Sequence, residues 1–422
     1  MKYLRLLALG LAVAATDAAS NSFGVYDART LGMGGTAVAV GNVNIGHFYN
    51  PALTAFHVGT EENTRDGRHS LHLNANLITD GLSSAAETIS ESLDGQLGVT
   101  IDRINGGLEP AEDAQEGYRI AADLSRAMRA VDNVDLGADM FLGYSVSEPA
   151  DRRGGAFYIG SRVFGTAIAK INPSDYVLIE DYVEEFAFIS SLGTEGVNHP
   201  ELYNIHGQLI DPSGLIKSTA LGTLASKSEM GMSFSKVYYL WGEEFSLGAA
   251  PKVVHLNIYD IEWRLKEGGF SENESNVEKT YFNADLGFAL NIADSFRVGL
   301  AIKDILTKKI TTGLGNQIEF GTYQRIGMAY FHPRFTFGVD VDLGVSPDVQ
   351  LRNTRKDISA GMEMSYAEHW KFRGGYRKDL QGIQRDNFSA GFAWTNKYFS
   401  IDAGYTTNME SQGAALEISY IH

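Results

Sequence analysis

The residues whose spacing most resembles a chemical motif are glycines near the start of the chain. Gly32-Met33-Gly34-Gly35-Thr36-Ala37 fits G-x-G-x-x-A, a pattern in which backbone amides bind the pyrophosphate of a dinucleotide. That function requires a buried strand before the glycines and a helix after them. Tyr26–Thr30 is not an apolar strand, and Asn50-Pro51 follows too soon for a full crossover helix. We therefore favour close backbone packing and tight turns over nucleotide binding as the role of these glycines.

Hydrolytic and metal-binding motifs give no constellation that predicts catalysis. Gly231-Met232-Ser233-Phe234-Ser235 lacks the last glycine of G-x-S-x-G and lies in a predicted strand. His69 and His72 are three residues apart, which on a strand places them on opposite faces and disfavours a shared metal. Cysteine is absent, so disulfides, thiolate metal sites and CxxC chemistry are excluded. We predict no metal, no cofactor and no enzyme activity; a lipid hydrolase would need a Ser/His pair on one outer strand face.

Charged residues on two late strands are the remaining candidates. Asp340 and Asp342 share a strand face and could bind a cation. We prefer to interpret them as charges lining a polar barrel interior. Arg373 and Arg377, with Lys371, share a face on a nearby strand and could balance them. The predicted lumen charges are therefore Asp340, Asp342, Arg373 and Arg377.

The elements that would position these residues begin with an export signal. Met1–Arg5 is basic, Leu6–Ala15 is apolar, and mostly small residues follow to Ser20. This pattern predicts a signal peptide over residues 1–20. An apolar run of about ten residues is too short for a membrane anchor. Residues 21–67 are then predicted to form a segment apart from the strands; within it, Ala28–Ala55 is dense in Gly and Ala and ends just past Asn50-Pro51.

Strands dominate the rest of the chain. In Arg334–Leu343 apolar and polar residues alternate for about ten residues, the signature of a strand with one lipid-facing side. Similar runs predict about fourteen strands, give or take two, over residues 68–422. Pro251 predicts a bulge or strand end within the long run Phe245–Leu265. The predicted strands are Arg68–Ile78, Val134–Val146, Gly154–Ala169, Glu229–Tyr239, Phe245–Leu265, Tyr281–Ile292, Phe296–Ile305, Ile318–Phe331, Arg334–Gly344, Asp357–Tyr366, Trp370–Lys378, Asn387–Trp394, Phe399–Thr406 and Ala414–Ile421.

Other segments have different periods. Apolar residues recur at three-or-four spacing over about residues 83–132, which predicts a small helical insert, with a helix over about Ala111–Asp132 after Pro110. Tyr176–Ser190 is ambiguous between helix and strand. Asn198–Ser228 is predicted to be mainly a loop, and Glu267–Asn276 a polar loop tip.

Composition narrows the class of protein. Asp and Glu number 52 against 35 Lys and Arg, which argues against direct nucleic-acid binding. Tyr and Phe are numerous (20 and 22) and Pro is rare (9), a mixture that suits strands joined by short turns. A soluble sandwich would need a second sheet over its apolar faces, whereas closure into a barrel removes every edge. The fold class is therefore predicted to be all-β, a transmembrane antiparallel β-barrel.

The last strand carries a further signal. Leu416, Ile418 and Tyr420 alternate with polar residues just before the chain ends at His422. A terminal amphipathic strand with a late aromatic resembles the recognition signal of the barrel-insertion machinery, although the usual terminal Phe is absent. We expect outer-membrane lipid, lipopolysaccharide and that machinery as partners, in the outer membrane of a Gram-negative bacterium.

The sequence also resembles known barrel families. ARTLGMGG followed by TAVAV and FYNPA resembles the N-terminal signature of FadL-type and PorV-like outer-membrane barrels. A larger part of the chain is similar to the barrel-type conjugal transfer TraF-like family. Its matching pieces are Ser246–Lys252, Tyr259-Asp260, Asp285–Gly287, Val298–Leu300, Asp340–Leu343 and Phe372–Arg377.

The resemblance implies both architecture and function. It implies that residues 21–67 form an N-terminal hatch inside a roughly fourteen-stranded barrel, with hatch motif residues Gly32, Gly34, Gly35, Asn50 and Pro51. It implies passive passage or binding of a hydrophobic small molecule, as in FadL-type barrels. The alternative is a non-transporting structural or docking component of an envelope machine, such as conjugative plasmid transfer, with envelope or conjugation proteins as partners.

Overall fold

The computed structural model describes most of the chain after the predicted leader. The described residues are 24–55, 67–78, 82–107, 109–132, 135–150, 152–192, 197–240, 242–266, 269–293, 295–312, 315, 317–347, 354–382, 386–408 and 411–422. The predicted signal peptide, residues 1–20, lies outside them.

Antiparallel strands close into a barrel, which confirms the predicted fold class and the predicted number of about fourteen strands. The strands are β1 (Arg68–Ile78), β2 (Asp135–Ala150), β3 (Arg153–Lys170), β4 (Thr219–Leu240), β5 (Glu243–Lys266), β6 (Gly269–Ile292), β7 (Phe296–Lys303), β8 (Lys308–Thr311), β9 (Gln317–Phe320), β10 (Tyr323–His332), β11 (Phe335–Asp342), β12 (Ser346–Pro347), β13 (Thr354–Arg355), β14 (Asp357–Tyr366), β15 (Trp370–Asp379), β16 (Asn387–Thr395), β17 (Phe399–Thr407) and β18 (Ser411–Ile421). Fourteen of these described strands form the barrel, while β8 with β9 and β12 with β13 form two separate hairpins.

Closure depends on β1. All its residues pair with β18 on one side and with β2 on the other; Leu71, for example, lies opposite Ile418 and Tyr144. Every barrel strand therefore has two hydrogen-bonded neighbours, and the sheet closes without a free edge strand.

Side chains alternate across the wall as the sequence pattern predicts. In β18, Leu416, Ile418 and Tyr420 are 37%, 43% and 46% exposed on the outer face, whereas Glu417 and Ser419 are buried in the lumen. The outer face is thus apolar and the inner face polar. The three residues of the predicted insertion signal lie together on the outside; their recognition stays a prediction.

The two ends of the barrel differ in their connections. At one end the turns are short, around residues 152, 242, 293–295, 333–334, 367–369 and 396–398. The start of β1 and the end of β18 lie at this same end, where the His422 N–H donates to the Gly67 carbonyl at 3.1 Å. The other end carries the longer connections, including the β8–β9 hairpin. We call these the short-turn end and the long-connection end.

Helices form a cap at the long-connection end. The helices of the described chain are α1 (Ala28–Gly32), α2 (Gly46–Tyr49), α3 (Leu82–Glu91), α4 (Leu97–Gly106), α5 (Pro110–Val131) and α6 (Pro173–Leu192), with a π-helical segment Ser92–Gln96 and 3₁₀ turns at Pro51–Ala55, Pro200–Leu202 and Pro212–Leu215. The cap consists of α3–α6 and residues 197–218. Its core contains Leu97 and Leu124 from the connection between β1 and β2, and Phe186 from the connection between β3 and β4. Among the described helices, none is both long enough and apolar enough to cross a membrane.

One ambiguous segment is resolved by the structure, and three sequence-based assignments need correction. Tyr176–Ser190 belongs to helix α6, whose Tyr182 and Phe186 are buried against the other cap helices; its apolar residues surround the helix, so no period was visible. The cap is therefore built from two connections and is larger than the predicted insert. The predicted loop Asn198–Ser228 ends earlier, because β4 starts at Thr219. The predicted loop tip Glu267–Asn276 lies mostly in β6, because β5 and β6 pair as a long hairpin. Ile318–Phe331 is divided between β9 and β10.

Pro251 causes neither a bulge nor a strand end. Gly231 pairs with Lys252 and Phe234 with Ala249, so the register of β4 against β5 is the same on both sides of the proline. On its other side Pro251 pairs with Ala284 in an unbroken ladder with β6. The backbone nitrogen of Pro251, which carries no hydrogen, faces β4. Only the β4–β5 ladder is therefore interrupted.

Candidate functional site

The hatch, defined as described residues 24–55, lies inside the barrel. Nearly all of it is buried. Helix α1 is capped by Asp27, whose carboxylate accepts from the Thr30 N–H at 2.9 Å and from the Tyr49 hydroxyl at 2.6 Å. Burial and the nearby Asp27 raise the pKa of Tyr49 well above its usual value, so this hydroxyl stays a donor. These hydrogen bonds join α1 and α2 of the hatch to each other, independently of the barrel wall.

Glycines turn the hatch backbone, as the sequence predicted. Gly34 and Gly35 have φ of 69° and 96°, values that favour glycine. Gly32 lies in α1, so helix precedes the two turning glycines and no strand does. This arrangement lacks the strand and crossover helix that dinucleotide binding requires.

A belt of wall glycines, which sequence analysis missed, receives the hatch. At each, an added Cβ would lie between 1.8 and 3.1 Å from a hatch atom, closer than at least nine in ten real Cβ contacts. The hatch can touch the wall backbone here only because these residues have no side chain. The recurrence of glycine at inward-facing positions of successive strands is the signal that could have revealed it. The glycine belt consists of Gly154, Gly248, Gly287, Gly299, Gly327, Gly338, Gly361, Gly375, Gly391 and Gly404.

Asn50 joins the hatch to the wall. Its side-chain amide donates to the Val38 carbonyl at 2.8 Å within the hatch and to the Phe288 carbonyl of β6 at 3.0 Å. Its side-chain oxygen accepts from the Ala52 N–H at 3.1 Å, next to Pro51, which starts the last 3₁₀ turn. Asn50 thus fixes the hatch to β6 just before its last 3₁₀ turn, Pro51–Ala55.

Asp340 also binds the hatch directly. One oxygen of its carboxylate accepts from the N–H groups of Ala37 and Val38, at 2.7 and 2.9 Å. Charge-assisted bonds of this kind are stronger than neutral ones. Asp340 therefore binds the hatch backbone, a contact that sequence analysis did not anticipate.

The other predicted lumen charges pair differently from the sequence-based expectation. Asp342 bonds Arg325 at 2.6 Å, and Arg325 also donates to the Gly35 carbonyl of the hatch at 3.1 Å. The expected partners, Arg373 and Arg377 with Lys371, lie on β15, which β14 separates from the aspartates on β11. The expected pairing is not formed: Asp342 pairs with Arg325, and Arg373 pairs with Glu363 and Asp402.

A second ion-pair group links the hatch to β14, β15 and β17. Arg29 of α1 donates to Glu363 at 2.9 Å. Arg373 bonds the same Glu363 at 2.7 Å and Asp402 at 2.7 Å. Arg377 lies 4.0 Å from Asp357 instead. The buried positive charge of the hatch is thus neutralised by the wall.

The opposite side of the lumen holds a third charge group. Lys252 lies within 3.1 Å of carboxylate oxygens of Glu229, Asp285 and Asp304. Lys303 lies beside it and donates to the Phe48 carbonyl of the hatch. The hatch is therefore held by lumen charges on several sides.

A Ser–His–Glu arrangement lies in the lumen. The His72 Nε2 is 2.9 Å from the Ser145 hydroxyl, and its Nδ1 is 3.5 Å from Glu417. All three residues are buried, and the Phe48 ring of the hatch lies 5.0 Å from that of His72. His69 faces outward. The pair is therefore internal and covered by the hatch, whereas an outer-membrane lipid hydrolase needs it on an outer face.

One group on the cap has the composition of a metal site. Asp181, His199 and Glu201 each bring a ligand atom within 4.8 Å of the others. The hydrogen bond to Glu201 raises the pKa of His199, and burial raises the pKa of Asp181. The His199 ring is hydrogen-bonded to Glu201 at 3.0 Å and to Glu184 at 3.2 Å, and it lies 3.8 Å from Asp181.

The comparisons with known proteins identify the family. Residues 47–342 match the family described as "F plasmid transfer operon, TraF, protein", well over half of the chain. The chain belongs to the TraF family. This confirms the TraF-like resemblance. No curated protein sequence matches significantly.

Solved structures of other barrels are similar in fold. The Pseudomonas putida toluene transporter TodX is 10% identical, with 94% of this chain and 96% of that chain covered and a TM-score of 0.44. A Pseudomonas aeruginosa FadL homologue is 11% identical, with 94% and 98% covered and a TM-score of 0.48. Similarity at this level carries no information on what this TraF-family barrel binds.

Proposed function

We propose that this TraF-family protein is an integral outer-membrane barrel that lets a hydrophobic small molecule pass the hatch, through the wall between β4 and β5. The exposed apolar outer face of the strands supports the membrane setting. The predicted signal peptide at residues 1–20 supports export. The short-turn end, which carries both ends of the barrel, is placed on the periplasmic side, as in single-chain outer-membrane barrels.

The observation that carries the proposal is the interrupted seam beside Pro251. Met232 and Ser233 face Pro251 and Ala250 across β4 and β5 without the ladder pairs found on either side. The Ser233 hydroxyl, which is buried, has no hydrogen-bond partner in the described residues. The wall is therefore held together less strongly here than elsewhere between these two strands.

Apolar residues of the hatch lie directly behind the seam. Ala250 belongs to a buried cluster that includes Ile45, Phe48 and Tyr49 of the hatch. Because Ser233 and Ala250 are small, a local shift of the hatch would connect the outer face with an apolar surface in the lumen. A hydrophobic molecule could follow this route without crossing the lumenal ion pairs.

A disulfide across the seam tests the route. The chain has no cysteine, so Ser233→Cys with Ala250→Cys introduces a single pair and leaves Pro251 in place. Facing positions on antiparallel strands are close enough for a disulfide. In lipid vesicles, oxidation should slow uptake of a fluorescent fatty acid, and reduction should restore it. A labelled small sugar should be unaffected in both states.

The matched control is Phe392→Cys with Ala403→Cys. These residues are cross-strand partners on the outer face of β16 and β17, where the ladder is continuous. Oxidation of this pair should leave uptake unchanged. If the seam disulfide forms and uptake is also unchanged, the proposed route is wrong.

A second candidate function is that of a non-transporting docking component of an envelope machine, such as conjugative plasmid transfer. The contacts of the hatch support it, because they hold the described lumen closed around much of its circumference. Removing the cap segment 82–131 should then reduce conjugation while uptake of the fatty acid stays the same. The transport function instead predicts that seam oxidation changes fatty-acid uptake and that cap removal changes neither uptake nor conjugation.

A further inference from the structure

A depression on the outer face lies at the short-turn end of β2–β6. Its volume is about 860 Å³, within the usual range of small-molecule sites. Outward-facing Phe234, Leu247 and Leu286 form its sides. The space between these three side chains is open, because Gly155 and Ala249 have little or no side chain. The hatch supports the wall from the inside, where Ala52 and Thr54 meet the belt glycines Gly248 and Gly154.

Two cations stand at the rim of this depression. Arg153 and Lys236 are cross-strand partners on β3 and β4, and both side chains point outward and are exposed. Like charges directly opposite each other on neighbouring strands are destabilising. Neither forms an ion pair with a carboxylate in the described part of the chain. Their placement is explained if an anion binds between them.

Residues in the lining and next to it in sequence fit a lipid–water interface. Glu148, the carboxylate in the lining, is engaged by His422 at 3.0 Å. The Lys236 ammonium lies over the Tyr238 ring at 5.2 Å, and the Arg152 guanidinium lies over the Tyr239 ring at 4.9 Å. Tyrosines and basic residues together are typical of the level of lipid head groups.

We propose that this depression is a binding site for an anionic glycerophospholipid of the periplasmic leaflet. The phosphate lies between Arg153 and Lys236, and one acyl chain lies along the apolar floor beside Ala249. A neutral hydrocarbon would leave the two cations uncompensated, and a soluble anion would leave the apolar floor unused. The inference rests on the membrane placement proposed above and is independent of transport through the seam.

Native mass spectrometry of the full chain, extracted from vesicles with equal amounts of phosphatidylglycerol and phosphatidylcholine, tests the site. The intact protein should retain phosphatidylglycerol preferentially. Arg153→Gln with Lys236→Gln should weaken retention about thirtyfold, since each of the two cations near a lipid surface contributes on the order of 1 kcal/mol. Ala249→Trp should fill the floor and weaken retention of the same lipid.

Matched controls separate the site from general effects of charge and bulk. Lys397→Gln removes an exposed cation from another short turn, where its ammonium lies over Tyr398, and Ala403→Trp adds bulk to the outer face of β17. Both should retain phosphatidylglycerol as the unmodified protein does. Retention equal in the rim variant and Lys397→Gln would overturn the site, as would equal retention of the two lipids. Displacement by equimolar oleate would assign the site to a free fatty acid and overturn the phospholipid.

Folding and membrane insertion are checked separately. Each variant should remain heat-modifiable in electrophoresis and float with vesicles. Failure of the unmodified protein to float would contradict the membrane placement, whereas floating protein without selective lipid retention would contradict only the site. If the double variant does not fold, the single variants Arg153→Gln and Lys236→Gln should each weaken retention in the same direction.

Discussion

The glycine belt makes a sharp prediction at two adjacent residues of β15. Gly375 faces the hatch, and a Cβ added there would lie 2.1 Å from the Gly34 nitrogen and 2.3 Å from the Met33 carbonyl carbon. Gly374 faces outward, and a Cβ added there would meet nothing within 4 Å. Gly375→Ala and Gly374→Ala therefore make the same chemical change on opposite sides of one strand.

The magnitude follows from what the new methyl group would contact. The atoms near Gly375 are hatch backbone, which cannot rotate away as a side-chain end can. The hatch is also fixed nearby, because Gly32 touches Gly391 and Met33 touches Gly361. Overpacking of this kind costs about 1–3 kcal/mol. Gly374→Ala should instead be neutral or stabilise by up to about 1 kcal/mol, because it restricts the unfolded chain.

Urea unfolding in lipid vesicles, followed by tryptophan fluorescence, measures the difference. Gly375→Ala should lower the unfolding midpoint relative to Gly374→Ala and expose residues 24–55 to protease. If the barrel tolerates the change by releasing the hatch, protease cleavage should increase even where the midpoint moves little. Equal midpoints together with equal protease resistance would refute the inference that the belt holds the hatch.

Other contacts give further predictions. Asp340→Ala leaves two buried hatch N–H groups without their acceptor, so protease cleavage of the hatch should increase, at a cost of about 1–3 kcal/mol for each group; unchanged cleavage would contradict the contact. Glu363→Gln leaves Arg29 buried without its counter-charge and should lower stability by about 3–5 kcal/mol in the same urea assay, and an unchanged midpoint would argue against the ion pair. His199 has a pKa raised above 6.5 by its hydrogen bond to Glu201, so its contribution to cap stability is present at low pH and is lost as pH rises through the raised pKa. Hydrogen-exchange protection of the cap should accordingly fall from pH 6.5 upward, and His199→Gln should remove that dependence.

Local patterns predicted much of the barrel because a strand between lipid and a polar lumen must alternate. The outer positions of β18, Leu416, Ile418 and Tyr420, follow from this rule alone. Helix α6 was missed because it is buried on several sides, so its apolar residues show no single face. The long hairpin of β5 and β6 was missed because its polar tip has the composition of a loop.

The candidate site was predictable only in part. Asp340 and Asp342 were recognisable as lumenal charges, since they alternate with apolar residues. Their partners were not, because a lumenal ion pair depends on strand order and on the hatch, neither of which spacing along the chain encodes. The Ser145–His72 contact was equally invisible, since its residues lie 73 positions apart.

By itself the sequence determined the class of molecule: residue alternation, composition and the glycine-rich opening segment sufficed for a membrane barrel with an unusual N-terminal segment. The tertiary structure alone decided how that segment is held. Ten glycines from ten strands, two lumenal aspartates and the arginines around them become one site only after closure brings distant strands around the same backbone. The physical reason is that the hatch backbone contacts the wall where the glycines lack a side chain. Sequence alone does not show which atoms occupy that space.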